Sequence, residues 1–238
     1  MNNELYADLI PSFEHERLAA LQPYQVLGTP GQAAFNDFVS VVAKLFDVPI
    51  ALISLVREDD VVFVGNEGLP EAKTVNREDS MCSVAILNDG PTVFDDIPAR
   101  PCALVNPFVA QQLHLGFYAG QALRTPDGQP LGSLCVIDRK PRQLSPAEGQ
   151  LLTQLGLVAQ DLLTLQATRA DNTLDPALRT RLDELVQQSL TRLQTLAELR
   201  ALDLAPEAGD AERYQAARLD EASYLAQSLH RELLSVIG

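Results

Sequence analysis

Pro49-Ile-Ala-Leu-Ile-Ser-Leu-Val56 is the stretch from which the fold is read. It is a short, almost unbroken apolar run rich in β-branched residues, which reads as a buried strand. Asp59-Asp60 follows as a turn signal, and Val61 to Val64 reads as the returning strand of a hairpin. Working backwards, Phe35, Phe38, Val39, Val42 and Leu45/Phe46 recur at helical spacing, so a helix is expected over Gly31 to Phe46. Thr29-Pro30 supplies an N-cap followed by proline at the first helical position. A shorter helix is expected over Glu14 to Leu21. Working forwards, Ser80 to Leu87 reads as a short helix and Thr92 to Phe94 as a short strand ending at Asp95-Asp96. Phe117 to Leu123 and Leu131 to Ile137 form a second hairpin about Pro126-Asp127-Gly128.

The composition changes near residue 144. All eight Phe precede it, and the remainder is rich in Leu, Ala, Gln, Arg and Glu. Aromatic and β-branched residues suit strands and unbranched ones suit helices, so an α+β part is followed by a helical part. Ser145-Pro-Ala-Glu148 is a capping box. After it Leu151, Leu155, Val158, Leu162 and Leu165 repeat as a heptad seam, with Leu152, Ala159 and Leu163 as a second stripe. A second helix is expected from Asp175-Pro176, with Leu182, Val186, Leu190 and Leu193 on one face. A third starts at Pro206 and carries Leu219, Ala222, Ala226, Leu229, Leu233 and Val236. Such seams fit either a hairpin packed on its own domain or a coiled coil or four-helix bundle between two copies.

The chain has 238 residues, 46% hydrophobic and 21% charged, enough for a core without disulfides or metals. Lys and Arg number 18 against 32 Asp and Glu, a net charge of -14. That balance argues against binding nucleic acid or anionic lipid. No run approaches a membrane span and the first residues lack a basic leader, so a cytoplasmic protein is expected. Cys82, Cys102 and Cys135 are too scattered for a disulfide framework, and no spacing suggests a metal site.

Several blocks in order resemble a bacterial GAF domain, of the type found next to sensor histidine kinases. They are Glu16-Arg-Leu-Ala-Ala-Leu21, Leu27-Gly-Thr-Pro30, Phe35-Asn-Asp37, Phe46-Asp-Val-Pro-Ile-Ala-Leu-Ile-Ser-Leu55 and Arg77 with Ser80-Met-Cys-Ser-Val-Ala-Ile86. Asn106-Pro107, Phe117-Tyr-Ala-Gly120, Thr125-Pro-Asp-Gly128 and Leu131-Gly-Ser-Leu-Cys-Val-Ile-Asp138 continue the match. The resemblance implies a six-stranded antiparallel sheet with helices on both faces, followed here by amphipathic C-terminal helices. Residues 1–13 would be a lead, 14–168 the GAF domain with its long last helix, and 175–238 a helical hairpin for dimerisation or partner binding. It also implies a non-catalytic small-molecule sensor or scaffold that signals through terminal helices to a partner protein.

The ligand itself is left open. The Asn-Lys…Phe…Asp-Glu signature of cyclic-nucleotide binders is absent. Gln111-Gln-Leu-His-Leu115 offers no thiol where bilin-binding relatives attach their pigment. Val84 stands where many relatives carry His, which suggests an apolar ligand or a vestigial pocket. The resemblance places the pocket between the sheet and Arg77 to Phe117, lined by Arg77, Cys82, Val84, Asp96, Tyr118 and Cys135. One enzyme shares this fold, the free methionine-(R)-sulfoxide reductase, and Cys82 falls near one of its cysteines; a partner-binding protein with a vestigial pocket is the other alternative. His114 is read as packed or solvated rather than as a haem ligand, and His230 as solvated rather than as a phosphoacceptor. A homodimer is expected on the Leu151, Leu155, Val158, Leu162 and Leu165 seam.

Overall fold

The computed structural model describes residues 7–24, 32–170, 175–199 and 208–237. The cap expected at Thr29-Pro30 and the helix start at Pro206 lie outside the described residues. The elements run α1 (Glu14–Leu21), α2 (Gln32–Phe46), β1 (Ile50–Val56), β2 (Asp60–Glu67), β3 (Thr74–Asn76), α3 (Cys82–Ala85) and β4 (Thr92–Phe94). Then follow α4 (Pro107–Gln112), β5 (Phe117–Arg124), β6 (Pro130–Asp138), α5 (Pro146–Ala170), α6 (Pro176–Leu199) and α7 (Ala208–Ile237).

Six strands form one antiparallel sheet in the order β3-β2-β1-β6-β5-β4. β1 is apolar except for Ser54 because it is central and covered on both sides. Ala51, Ile53 and Leu55 face one hydrophobic cluster while Ile50, Leu52 and Val56 face the other, as the two-residue period of a strand requires. The larger cluster holds α2, α5, α6 and α7, and the smaller holds α3, α4 and the loops around them. β3 and α4 were not expected from the sequence. Both are short, and a three- or six-residue element leaves little periodicity to read.

The capping box at the start of α5 forms in both directions. The Glu148 backbone N–H donates to Ser145 Oγ (3.2 Å), and the Ser145 N–H donates to the Glu148 carboxylate (2.8 Å). Arg142 also pairs with Glu148, donates to the Phe46 carbonyl (2.9 Å) and lies over the Phe117 ring. This clamps the β6–α5 turn to the end of α2. α6 opens on Asp175, whose side chain accepts from the N–H groups of Ala177 and Leu178.

The expected dimer seam requires correction. Leu151, Leu155, Val158, Leu162 and Leu165 are buried within the single chain, as are Leu152, Ala159 and Leu163. α5 lies between the sheet and α7, and α6 packs on α2 and α7. Both apolar stripes of α5 are therefore filled by this chain's own elements. The apolar stripes of α6 and α7, Leu182, Val186, Leu190, Leu193, Leu219, Ala222, Ala226, Leu229 and Leu233, belong to the same core as the sheet, which is the hairpin of the two arrangements the seams allow. Within that interface Asp161 of α5 meets His230 Nδ1 of α7 at 2.6 Å. His230, expected to be solvated, is thus a partner in a largely buried pair.

Candidate ligand-binding site

The segment from α3 to β5 crosses the face of the sheet opposite α2 and α5. α3 is a single turn, with Cys82, Ser83, Val84 and Ala85 all buried against β1, β5 and β6. Asn106 caps α4, its side chain accepting from the Phe108 N–H (3.1 Å), with Pro107 at the first position. A second Asn106 bond to Asp79 (2.8 Å) ties α4 to the turn before α3. These supports hold α4 off the sheet and leave space on both of its sides.

The inner space is a cavity of about 50 Å³ between α4 and the sheet, walled by Leu52, Phe63, Cys82, Val109, Leu113 and Tyr118 among others. The outer space is a pocket of about 330 Å³. Its floor is apolar, with Met81, Ile97, Val105, Ala110 and Leu115, and Gln111, His114 and Arg139 supply polar groups. Met81, Val105, Ala110 and Leu115 line both spaces, so they form the wall between them. Arg139 is anchored to the Leu113 carbonyl (2.6 Å) through one guanidinium nitrogen. His114 sits at positive φ, 52°, where the chain turns from α4 into β5.

Of the six residues expected to line the pocket, Cys82 and Tyr118 border the inner cavity. Cys135 lies beneath Cys82, with the two sulfurs 3.9 Å apart. Cys135, Arg77, Val84 and Asp96 line neither space. Arg77 is taken up by Glu14 (2.5 Å) and by the Leu9 carbonyl (3.0 Å). Val84 packs in the apolar cluster. Asp96 accepts from the Ala99 N–H (3.1 Å) and shapes the following turn. The outer pocket's Pro101, Cys102, Val105, Ala110 and Arg139 were missed, although Asn106-Pro107 is a readable helix start and marks the element that builds the wall.

Beneath α3 the sheet carries polar groups on an otherwise apolar face. Ser54 and Ser133 stand opposite each other on β1 and β6, with hydroxyls 3.1 Å apart. The Tyr118 hydroxyl is buried with no hydrogen-bond partner among the described residues. The Cys135 thiol and, more weakly, nearby serine hydroxyls stabilise a Cys82 thiolate against the cost of burial, which pulls its pKa down to about 6. Cys135, as the partner that keeps its proton, is pushed up. Among the described residues no three His, Cys, Asp or Glu gather as a metal set, and no helix is long and apolar enough to cross a membrane.

Residues 30–160 match the family model described as GAF domain. The chain belongs to the GAF domain family. Over 199 residues it is 34% identical to the cyclic di-GMP phosphodiesterase PA2567 of Pseudomonas aeruginosa. That match takes in 82% of this chain and 34% of the relative, so the chain spans about a third of the relative's length. Among solved structures it is similar to the GAF domain of an Acinetobacter phosphoenolpyruvate-protein phosphotransferase, with TM-score 0.49, 15% identity, and 66% and 98% of the two chains covered. It is also similar to the free methionine-R-sulfoxide reductase from Neisseria meningitidis, with TM-score 0.49, 18% identity, and 72% and 94% covered.

Proposed function

We propose that this GAF domain is a non-catalytic sensor, binding a small molecule in the outer pocket and signalling to a partner protein through α5, α6 and α7. The observation that carries this reading is the 330 Å³ pocket, of ligand size, with an apolar floor and a cation at Arg139. Those features favour a ligand with an apolar body and an anionic end. The shared stretch with a phosphodiesterase three times as long supports a regulatory place in signal transduction, with this portion as its input. Self-association, if it accompanies signalling, falls to the outer faces of α6 and α7, since the heptad seam of α5 is filled.

The sulfoxide reductase alternative places catalysis at Cys82. That thiol is 3% exposed and opens only onto the inner cavity. That space, about 50 Å³ against about 330 Å³ for the outer pocket, suits a molecule smaller than an amino acid. Thiol-dependent turnover of free methionine sulfoxide, lost in Cys82→Ser, would establish the enzyme instead.

The sensor reading is tested by native mass spectrometry of the purified chain and by titration with anilinonaphthalene sulfonate, an apolar body with one anionic group. One bound probe per chain is expected, weakened about tenfold by Arg139→Ala, the size of a single charged hydrogen bond of ~1.5–3 kcal/mol. Ala110→Phe should fill the pocket and abolish binding. Near-UV circular dichroism keeps probe uptake by a loosened fold apart from uptake by the pocket. Binding that is unchanged in both variants refutes the assignment.

A further inference from the structure

We propose that Cys82 and Cys135 are an oxidisable dithiol, closed to an intramolecular disulfide by a hydroperoxide small enough to enter the inner cavity. This modification site is separate from the outer pocket and does not rest on a ligand there.

Two thiols on different elements, one opening α3 and one in the middle of β6, are brought to a sulfur separation of 3.9 Å. A bond at ~2.05 Å needs an approach of roughly 2 Å, within reach of side-chain rotation and a small shift of a one-turn helix. Burial alone would make both cysteines inert apolar residues. Three observations set this pair apart. Cys82 forms part of the wall of the small inner space of about 50 Å³, which a peroxide can enter. The Ser54–Ser133 pair and the buried Tyr118 hydroxyl share that face of the sheet with the two sulfurs. The Cys82 backbone N–H is held by Ser80 Oγ (3.2 Å), which fixes its position over Cys135. The lowered Cys82 thiol adds that its reactive form is present at neutral pH.

The chemistry balances with the peroxide as the oxidant. The Cys82 thiolate attacks a peroxide oxygen; an S–O bond forms, the O–O bond breaks, and hydroxide or an alkoxide leaves. The leaving group takes the Cys135 proton. The Cys135 thiolate then attacks the sulfenic sulfur of Cys82; the S–S bond forms and the S–O bond breaks. The departing hydroxide takes up the proton that Cys82 released on ionising. Two electrons pass from the sulfurs to the peroxide, and with hydrogen peroxide the products are a disulfide and water.

The full chain, fully reduced, is treated with hydrogen peroxide and separately with cumene hydroperoxide, then mapped by peptide mass spectrometry without reductant. A Cys82–Cys135 cross-link is expected with hydrogen peroxide, with the loss of two hydrogens in intact mass. The bulky peroxide should react only at Cys102, which borders the outer pocket. In Cys135→Ser the sulfenic acid on Cys82 has no partner and is trapped by dimedone. In Cys82→Ser only Cys102 reacts, with no adduct at Cys135 and no cross-link. The wild-type cross-link is decisive even where a core variant fails to fold. Buried thiols that stay titratable after Cys102 is consumed, a cross-link through Cys102, or equal reaction with the two peroxides overturns the proposal.

Discussion

Glu14→Ala should be among the most costly single changes outside the apolar core. Glu14 holds two arginines that have left water. Arg17 is fully buried and donates two hydrogen bonds to the Glu14 carboxylate, at 2.7 and 2.8 Å, and one to the Val56 carbonyl at 2.7 Å. Arg77, 6% exposed, approaches the same carboxylate at 2.5 Å. Removing the anion leaves both cations buried without a counter-charge. Breaking one buried pair costs ~3–5 kcal/mol. Glu14 keeps some solvent contact, at 16% of its side chain, so the low end, ~3 kcal/mol, is the expected loss. At ~2–4 °C per kcal/mol for a chain of this size, the melting temperature should fall by roughly 6–12 °C.

The assay is urea unfolding followed by circular dichroism, with Asp60→Ala as the comparison. Asp60 pairs with Arg57 in a half-exposed bridge, the kind that contributes ~0–1 kcal/mol. The pH dependence carries a second check. Burial pushes the Glu14 carboxyl up, but the hydrogen bonds from Arg17 and Arg77 outweigh it and hold it below its ordinary value of 4.5. A depressed carboxyl contributes its stability above the unfolded value and loses it as pH falls through the folded one. The gap between wild type and Glu14→Ala should therefore close as the pH falls from 4.5 through the lower folded value. A Glu14→Ala loss no larger than that of Asp60→Ala, or a gap that widens in acid, refutes the account.

Three further outcomes are expected. Ser145→Ala removes the N-cap of α5 and should cost ~1 kcal/mol in the same unfolding assay, and Glu148→Ala should cost more because Arg142 also loses its partner. Leu155→Asp with Leu162→Asp should give insoluble or unfolded chain on expression rather than a folded monomer, because both side chains are buried within the chain. The rate of Cys82 oxidation by hydrogen peroxide, read by thiol titration, should rise with pH through about 6. It should level off above about pH 7, where the thiolate is already fully formed.

The frame of the molecule was legible where long segments carry one strong period. β1, the β5–β6 hairpin and α5 fall within a residue or two of their expected limits. The two apolar stripes of α5 were legible, one read as facing the sheet and the other as free for a second copy. That both partners come from the same chain was not in the pattern, since a heptad seam has the same spacing whichever helix fills it. The site was less legible because its contacts are distant in sequence. Arg77 reads as a ligand-facing cation until Glu14, far upstream, is seen beside it. Cys82 and Cys135 look like unrelated apolar positions until β6 passes beneath α3.

The strand order β3-β2-β1-β6-β5-β4 places the first strand of the chain beside the last. Leu52 pairs with Cys135 and Ile50 with Ile137, so the centre of the sheet is also its longest closure in sequence. During synthesis β1 has only β2 for a neighbour until the whole crossing segment and β5 have been made. At ~5–20 residues per second the apolar flank of β1 waits on the order of ten seconds for its partner. That flank is the edge at which a nascent chain would be captured by a chaperone or pair wrongly with another copy. The cavity and its thiol pair come into being with that final strand, because Cys135 arrives on it. A chain truncated before residue 130 would therefore lack both the middle of its sheet and the chemistry set into it.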